Sequence, residues 1–132
     1  MEYLAHQSGE RLERAVTIKA VIAWRLAAMV LLGRETPELP PEVLFSDIEV
    51  AVLKDFATDR RLPEPDNLGS AVCTMAVIGG YLNRRGDPPP GYKIIWEGYT
   101  RLSISAQAYE LLLRRGSEGA IYRLLRPDKS CV

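Results

Sequence analysis

Histidine is nearly absent from this chain of 132 residues: His6 is the only one, and no Cys-x-x-Cys or His-x-x-x-His spacing occurs. Metal centres and acid–base sites draw on clusters of such groups, which disfavours His6 as a ligand or catalytic base. Cysteine is scarce as well. Cys73 lies in an apolar run and reads as a small core residue, and Cys131 lies in the tail. That usage excludes a disulfide framework and suits a reducing cytoplasm. There is no Gly-x-Ser-x-Gly elbow, no phosphate-cradling Gly-x-x-x-x-Gly-Lys loop and no dinucleotide fingerprint. The carboxylates Glu35, Glu38, Glu42, Asp47, Glu49 and Asp55 are scattered over a loop and one helix face. They read as a solvated acidic surface, since no rigid apolar frame holds a pair of them. No small-molecule substrate and no cofactor is expected for the chain itself.

The opening MEYLAHQSGERLER is charged and has no apolar h-region, so no secretory signal is expected. The most apolar stretch, Ala20 to Gly33, is interrupted by Arg25. It falls short of the roughly 20 apolar residues a spanning helix needs and reads as a buried core helix, with no membrane partner. Net charge is zero but unevenly placed. Residues 35–66 carry nine acidic and three basic side chains, whereas residues 67–132 carry nine basic and five acidic. A protein held on nucleic acid by charge alone is more basic than this, so any such contact belongs to a patch in the C-terminal half.

What is present is a globular composition, 47% hydrophobic and 26% charged, with periodicity of the helical kind. The spacing predicts an all-α bundle of about four main helices joined by proline-rich connectors. A first helix is expected from Gly9 to Leu32, with Ser8 as N-cap and Gly33 as the stop. An extended connector follows through GRETPELPPEV. Ser46-Asp47-Ile48-Glu49 has capping-box spacing and starts a second helix that ends near Ala57. A third, capped by Asp66 or Asn67, is expected to run to about Asn83 with Leu68, Ala71, Val72, Met75, Ala76 and Leu82 on its apolar face. Gly79 falls on that face too, where the missing side chain favours close packing of another helix. A fourth helix, Tyr92 to Arg114, completes residues 1–114 as the helical domain. The tail, residues 115–132, is expected to hold one short basic turn, Ile121 to Leu125, before a disordered end.

Two features stand out from this frame. On the fourth helix Ile95, Tyr99, Leu102, Ala106, Tyr109 and Leu113 recur in steps of three and four, the spacing of a coiled-coil seam. Trp96 and Tyr92 form a second apolar row beside it. The seam either closes this domain alone or serves partly as a contact between two protomers. Around the proline-stiffened loop 84–91 lies a basic set, Arg84, Arg85, Lys93 and Arg101. It is either a solvated loop or a phosphate clamp, since arginines on a rigid loop lose little entropy on binding.

The run AVIGGYLNRRGDPPPGYKIIWEGYTRL carries a resemblance. Val77-Ile78-Gly79-Gly80-Tyr81-Leu82, Arg84-Arg85-Gly86-Asp87, Pro90-Gly91 and Ile95-Trp96-Glu97-Gly98 with Leu102 follow one signature. It resembles the C-terminal signature of DDE transposases of the insertion sequence four group, which includes the transposon five transposase. The upstream run GERLERAVTIKAVIAWRLAAM is similar to the helix that follows the catalytic core in that family. Pro88-Pro89 departs from the family pattern, and nothing after Leu113 matches it. The family's catalytic glutamate lies in a Tyr-x2-Arg-x3-Glu pattern. Here Tyr81 and Arg84 match its first two elements, but Pro88 stands at the glutamate position.

The resemblance implies a non-catalytic C-terminal part of a cytoplasmic cut-and-paste transposase, acting in DNA recombination. The divalent metal ions, such as magnesium, that support that chemistry would belong to the catalytic domain of a parent enzyme. It implies a partner in a second copy or in full-length transposase, and contact with transposon-end DNA. By position, Ile95, Trp96, Tyr99, Leu102, Ala106, Tyr109 and Leu113 become dimer-interface candidates. Arg84, Arg85, Lys93 and Arg101 become DNA-contact candidates. The rival expectation is a stand-alone helical interaction module, including one that inhibits intact transposase by forming mixed dimers.

Overall fold

The order along the chain is α1 (Glu2–Glu35), a 3-10 turn (Pro41–Val43), α2 (Asp47–Asp59), α3 (Leu68–Ile78), α4 (Tyr92–Arg115) and a second 3-10 turn (Gly116–Glu118). This computed structural model describes the backbone of residues 2–120 and 124, and most of their side chains from residue 7 onward. The architecture is an all-α bundle, with no strand among the described residues. The basic turn expected over Ile121–Leu125 lies, apart from residue 124, outside them.

Both inner helices begin where their caps dictate. Ser46 Oγ accepts from the Glu49 amide at 3.3 Å, while the Ser46 amide donates to Glu49 Oε2 at 3.0 Å. Asn67 and Ser70 repeat that reciprocal pair at the start of α3, with Asn67 Oδ1 accepting from the Ser70 amide at 2.8 Å. Each box satisfies amides that the first helical turn leaves without partners. The connector after α1 adds two more bonds at α3: the Leu68 amide donates to the Leu39 carbonyl and that of Gly69 to Pro37. The proline-rich segment therefore crosses the N-terminus of α3 and carries the short 3-10 turn Pro41–Val43, so it is not extended throughout.

The core is built from Met29 of α1, Leu53 of α2, Leu68 and Met75 of α3, and Ile95 and Leu102 of α4, all essentially inaccessible. Pairing is most extensive between α3 and α4, and glycine explains it. A Cβ on Gly79 would collide with the Ile94 carbonyl oxygen, and one on Gly98 with the Met75 carbonyl oxygen. The two helix backbones meet at these positions, so the close packing expected at Gly79 is what the bundle shows.

Three helix boundaries differ from the sequence expectation. α1 starts well before Ser8, which lies inside the helix rather than capping it, and continues past Gly33 to Glu35. Gly33 serves packing instead of termination, because a Cβ there would stand 3.3 Å from Val72 Cγ2. α3 stops at Ile78, five residues short of Asn83. Gly80 takes a φ of +102°, and the Tyr81 and Gly80 amides donate back to the Ala76 and Val77 carbonyls. That is a Schellman ending, with the second glycine in the left-handed position it requires. Leu82 accordingly leaves the apolar face and is exposed.

The largest difference concerns the burial of α1. Its only fully buried described side chains are Met29 and Val30, and residues 7–21 are all exposed. Leu12, Val16, Ile18, Val21 and Trp24 all face solvent, Trp24 at 71%. The helix is about 50 Å long and projects beyond the bundle. Within Gln7–Glu35 an 18-residue stretch reaches a mean hydropathy of 1.9, so the helix is long and apolar enough to cross a membrane by length and composition. It is not the buried core helix the sequence suggested. Only its C-terminal end is core, anchored by Arg25. That side chain donates to the Leu44 carbonyl at 2.9 Å, approaches Glu49 at 3.7 Å and lies 5.0 Å from the Tyr99 ring centre.

Candidate functional site

The apolar seam of α4 divides in two along its length. Ile95, Leu102 and Ala106 are buried in the protomer's own core, and Tyr99 is half-buried beneath Arg25. Burial raises the Tyr99 phenol above its ordinary pKa; the nearby Arg25 charge opposes this, and that of Glu49 adds to it. The core-closing alternative therefore describes the first half of the row. Those residues hold this bundle together and leave little surface for a second molecule.

Beyond Ala106 the same row continues past the end of the bundle. Tyr109 is 44% exposed and Leu113 74%, with Leu111 and Ile104 also open on other sides of the helix. From residue 107 to the end of α4 only Leu112 is partly covered. Nine residues, roughly 13 Å of helix, thus overhang the bundle with apolar side chains and end in Arg114 and Arg115. Trp96 and Tyr92, the second row, are exposed near the other end of α4.

At the root of the overhang α2 packs on α4 and leaves a groove of about 260 Å³ lined by Val52, Asp55, Phe56, Asp59, Ser105 and Tyr109. Val52 is buried and Phe56 half-buried, whereas both aspartates are exposed. The groove therefore has an apolar floor and an acidic rim. Sequence reading took Asp55 for part of a solvated acidic face and did not single out Asp59. Their spacing of four residues was the available signal, since it puts them on one side of a helix.

The basic loop is ordered by its own backbone. Asn83 and Gly86 take positive φ values of 50° and 95°. The Arg84 amide donates to Asp87 Oδ2 at 2.9 Å, and the Tyr81 hydroxyl donates to the Pro88 carbonyl at 3.0 Å. Arg84, Arg85 and Lys93 point into solvent around this frame. Arg101 is placed differently: its guanidinium donates to the Ile78 carbonyl at 2.8 Å and so closes the end of α3. Arg34 joins the loop region through a 3.3 Å bond to the Pro90 carbonyl. Sequence reading missed it because 56 positions separate the two residues.

Among the described residues no group of three His, Cys, Asp or Glu side chains gathers as a metal site. The geometry is that of a module with an apolar arm, an acid-rimmed groove and a braced basic loop. A family model described as the transposase Tn5 dimerisation domain matches residues 21–117, from the exposed part of α1 to just beyond the end of α4. No curated protein and no solved structure matches the chain.

Proposed function

The chain belongs to the Tn5 transposase dimerisation domain family, and from that premise we propose that it joins two transposase protomers through the overhanging end of α4. A dimerisation domain is a non-catalytic part of such an enzyme, and this one has a surface suited to the task. The observation that carries the reading is the seam itself. A coiled-coil row that closes one bundle has no physical reason to continue for two more turns into solvent, yet Tyr109 and Leu113 do so. A second copy that covers these turns supplies the reason, and a two-fold arrangement uses one patch twice.

The loop formed by Arg84, Arg85 and Lys93 is proposed to touch the phosphates of transposon-end DNA, holding the paired protomers in place and reading no sequence. Its internal bonds support this, because a braced loop loses little entropy on binding. Chemistry on DNA, in the cytoplasm and with divalent metal, would belong to the catalytic domain of the assembled enzyme.

Sedimentation velocity over a wide concentration range tests the pairing. A reversible dimer is expected, and Leu113→Glu combined with Tyr109→Glu should convert it to monomer with helical content unchanged. A wild-type chain that stays monomeric at every concentration would remove the reading.

A further inference from the structure

We infer that the groove between α2 and α4 is the receptor for the overhang of α4 from a second copy, closed by ion pairs between Arg115 of one protomer and Asp55 or Asp59 of the other. This rests on the pairing proposed above and names the half of the interface that the overhang alone leaves undefined. Three observations converge on it. First, the shapes match in kind: the groove floor is Val52, Phe56 and Tyr109, and the arm presents Leu112 and Leu113. Second, the charges are opposite: the rim carries two aspartates, while the arm ends in two arginines. Third, the position is right. Ser105, Tyr109, Leu112 and Arg115 follow in steps of four, three and three, so they share one side of α4. The groove and the contact side of the arm are thus continuous.

An antiparallel two-fold contact is self-complementary. With the axis passing α4 near residues 109–110, Leu112 and Arg115 of one copy stand level with residues 104–107 of the other. That stretch of α4 carries Ser105, which lines the groove. Each arm fills the opposite groove, and both contacts form together. Asp59 already has one cation nearby, with Arg60 Nε at 4.0 Å across an exposed pair. Such a pair is weak and screened, so it competes little with a partner arginine. Asp55 and Arg115 have no ion pair among the described residues. The acidic rim repels phosphate, which excludes DNA from this groove and leaves it to protein.

The test exploits the symmetry. One variant carries Asp55→Lys and Asp59→Lys, a second carries Arg114→Glu and Arg115→Glu, and all four positions are exposed, so both are expected to keep the wild-type circular dichroism. Alone, each should self-associate roughly tenfold more weakly than wild type, since two rim pairs turn repulsive at each contact. Mixed in equal amounts they should regain wild-type affinity as a heterodimer, because both of its contacts are again opposite in charge. If both variants dimerise like the wild type while Leu113→Glu is monomeric, the arm pairs elsewhere; the groove proposal falls and the dimer reading stands. A mixture that recovers nothing also overturns the groove. A wild type that never dimerises overturns the pairing itself.

Discussion

Two glycines set the spacing of the bundle. Gly79 and Gly98 face each other where α3 crosses α4, and each would place a new Cβ against a backbone carbonyl of the other helix. Backbone yields less readily than a side chain, so Gly98→Ala must push α3 and α4 apart. A loss of about 1–3 kcal/mol is expected in urea unfolding. Gly9→Ala is the control, inside α1 and with open space around the new methyl; it should not lower the midpoint. Equal losses at both sites would show that helix contact is not what selects glycine at position 98. A second residue-level effect concerns alkaline pH. Burial raises Cys73 above its ordinary value of 9.0, and burial also leads the rise of Tyr99 above 10.0. Both groups are neutral when protonated, so in this range the unfolded chain gives up its protons first. Their contribution is full below the unfolded values and declines as pH rises through 9 and 10 towards the raised folded values. Thermal unfolding should therefore show stability falling above pH 9, less steeply in Cys73→Ala with Tyr99→Phe. An identical decline in that variant would assign the effect to other groups.

At the scale of elements, starts were legible in the sequence and ends were not. Ser46 and Asn67 announce α2 and α3 through local side-chain bonds, which need nothing beyond four consecutive residues. Glycine, by contrast, has several uses that look alike on paper. Gly33 fits α1 against Val72, Gly79 fits α3 against α4, and Gly80 ends α3 with its positive φ. Only the tertiary neighbour distinguishes them. The same limit explains α1, whose apolar residues encode burial without stating in what. Trp24 and Val21 have the composition of a core helix and the exposure of a surface one. The α4 seam was read correctly as a row, but where the bundle stops covering it depends on the length of α2 beside it. Contrasting substitutions make that division measurable. Leu102→Ala, at a site with no exposure, should cost about 2–5 kcal/mol. Leu113→Ala should leave the unfolding of the monomer unchanged and weaken only self-association. If Leu113→Ala destabilised the dilute monomer as much as Leu102→Ala, the overhang would have to be part of the core.

Across the whole molecule, charge separates what the fold brings near. The acidic side chains concentrate in residues 35–66, which include α2 and its groove rim, and the basic excess lies in residues 67–132. Neutral overall, the protein should bind DNA only through a local patch, and the ordered loop at 84–91 is the part suited to it. Arg84, Arg85 and Lys93 are free to meet phosphates, whereas Arg101 is already engaged with the end of α3. Three phosphate contacts per protomer predict a modest slope of log affinity against log salt, about −2 to −3 on duplex DNA. Replacing Arg84 and Arg85 with alanine should flatten that slope by about 2 and weaken binding similarly on any sequence. Arg101→Ala should instead lower stability by releasing the Ile78 carbonyl, with the slope retained. Measured together by filter binding over a salt series and by thermal unfolding, the two variants separate loop from cap. An unchanged slope in the loop variant would place this domain among pure protein-pairing modules, with DNA held by other parts of the enzyme.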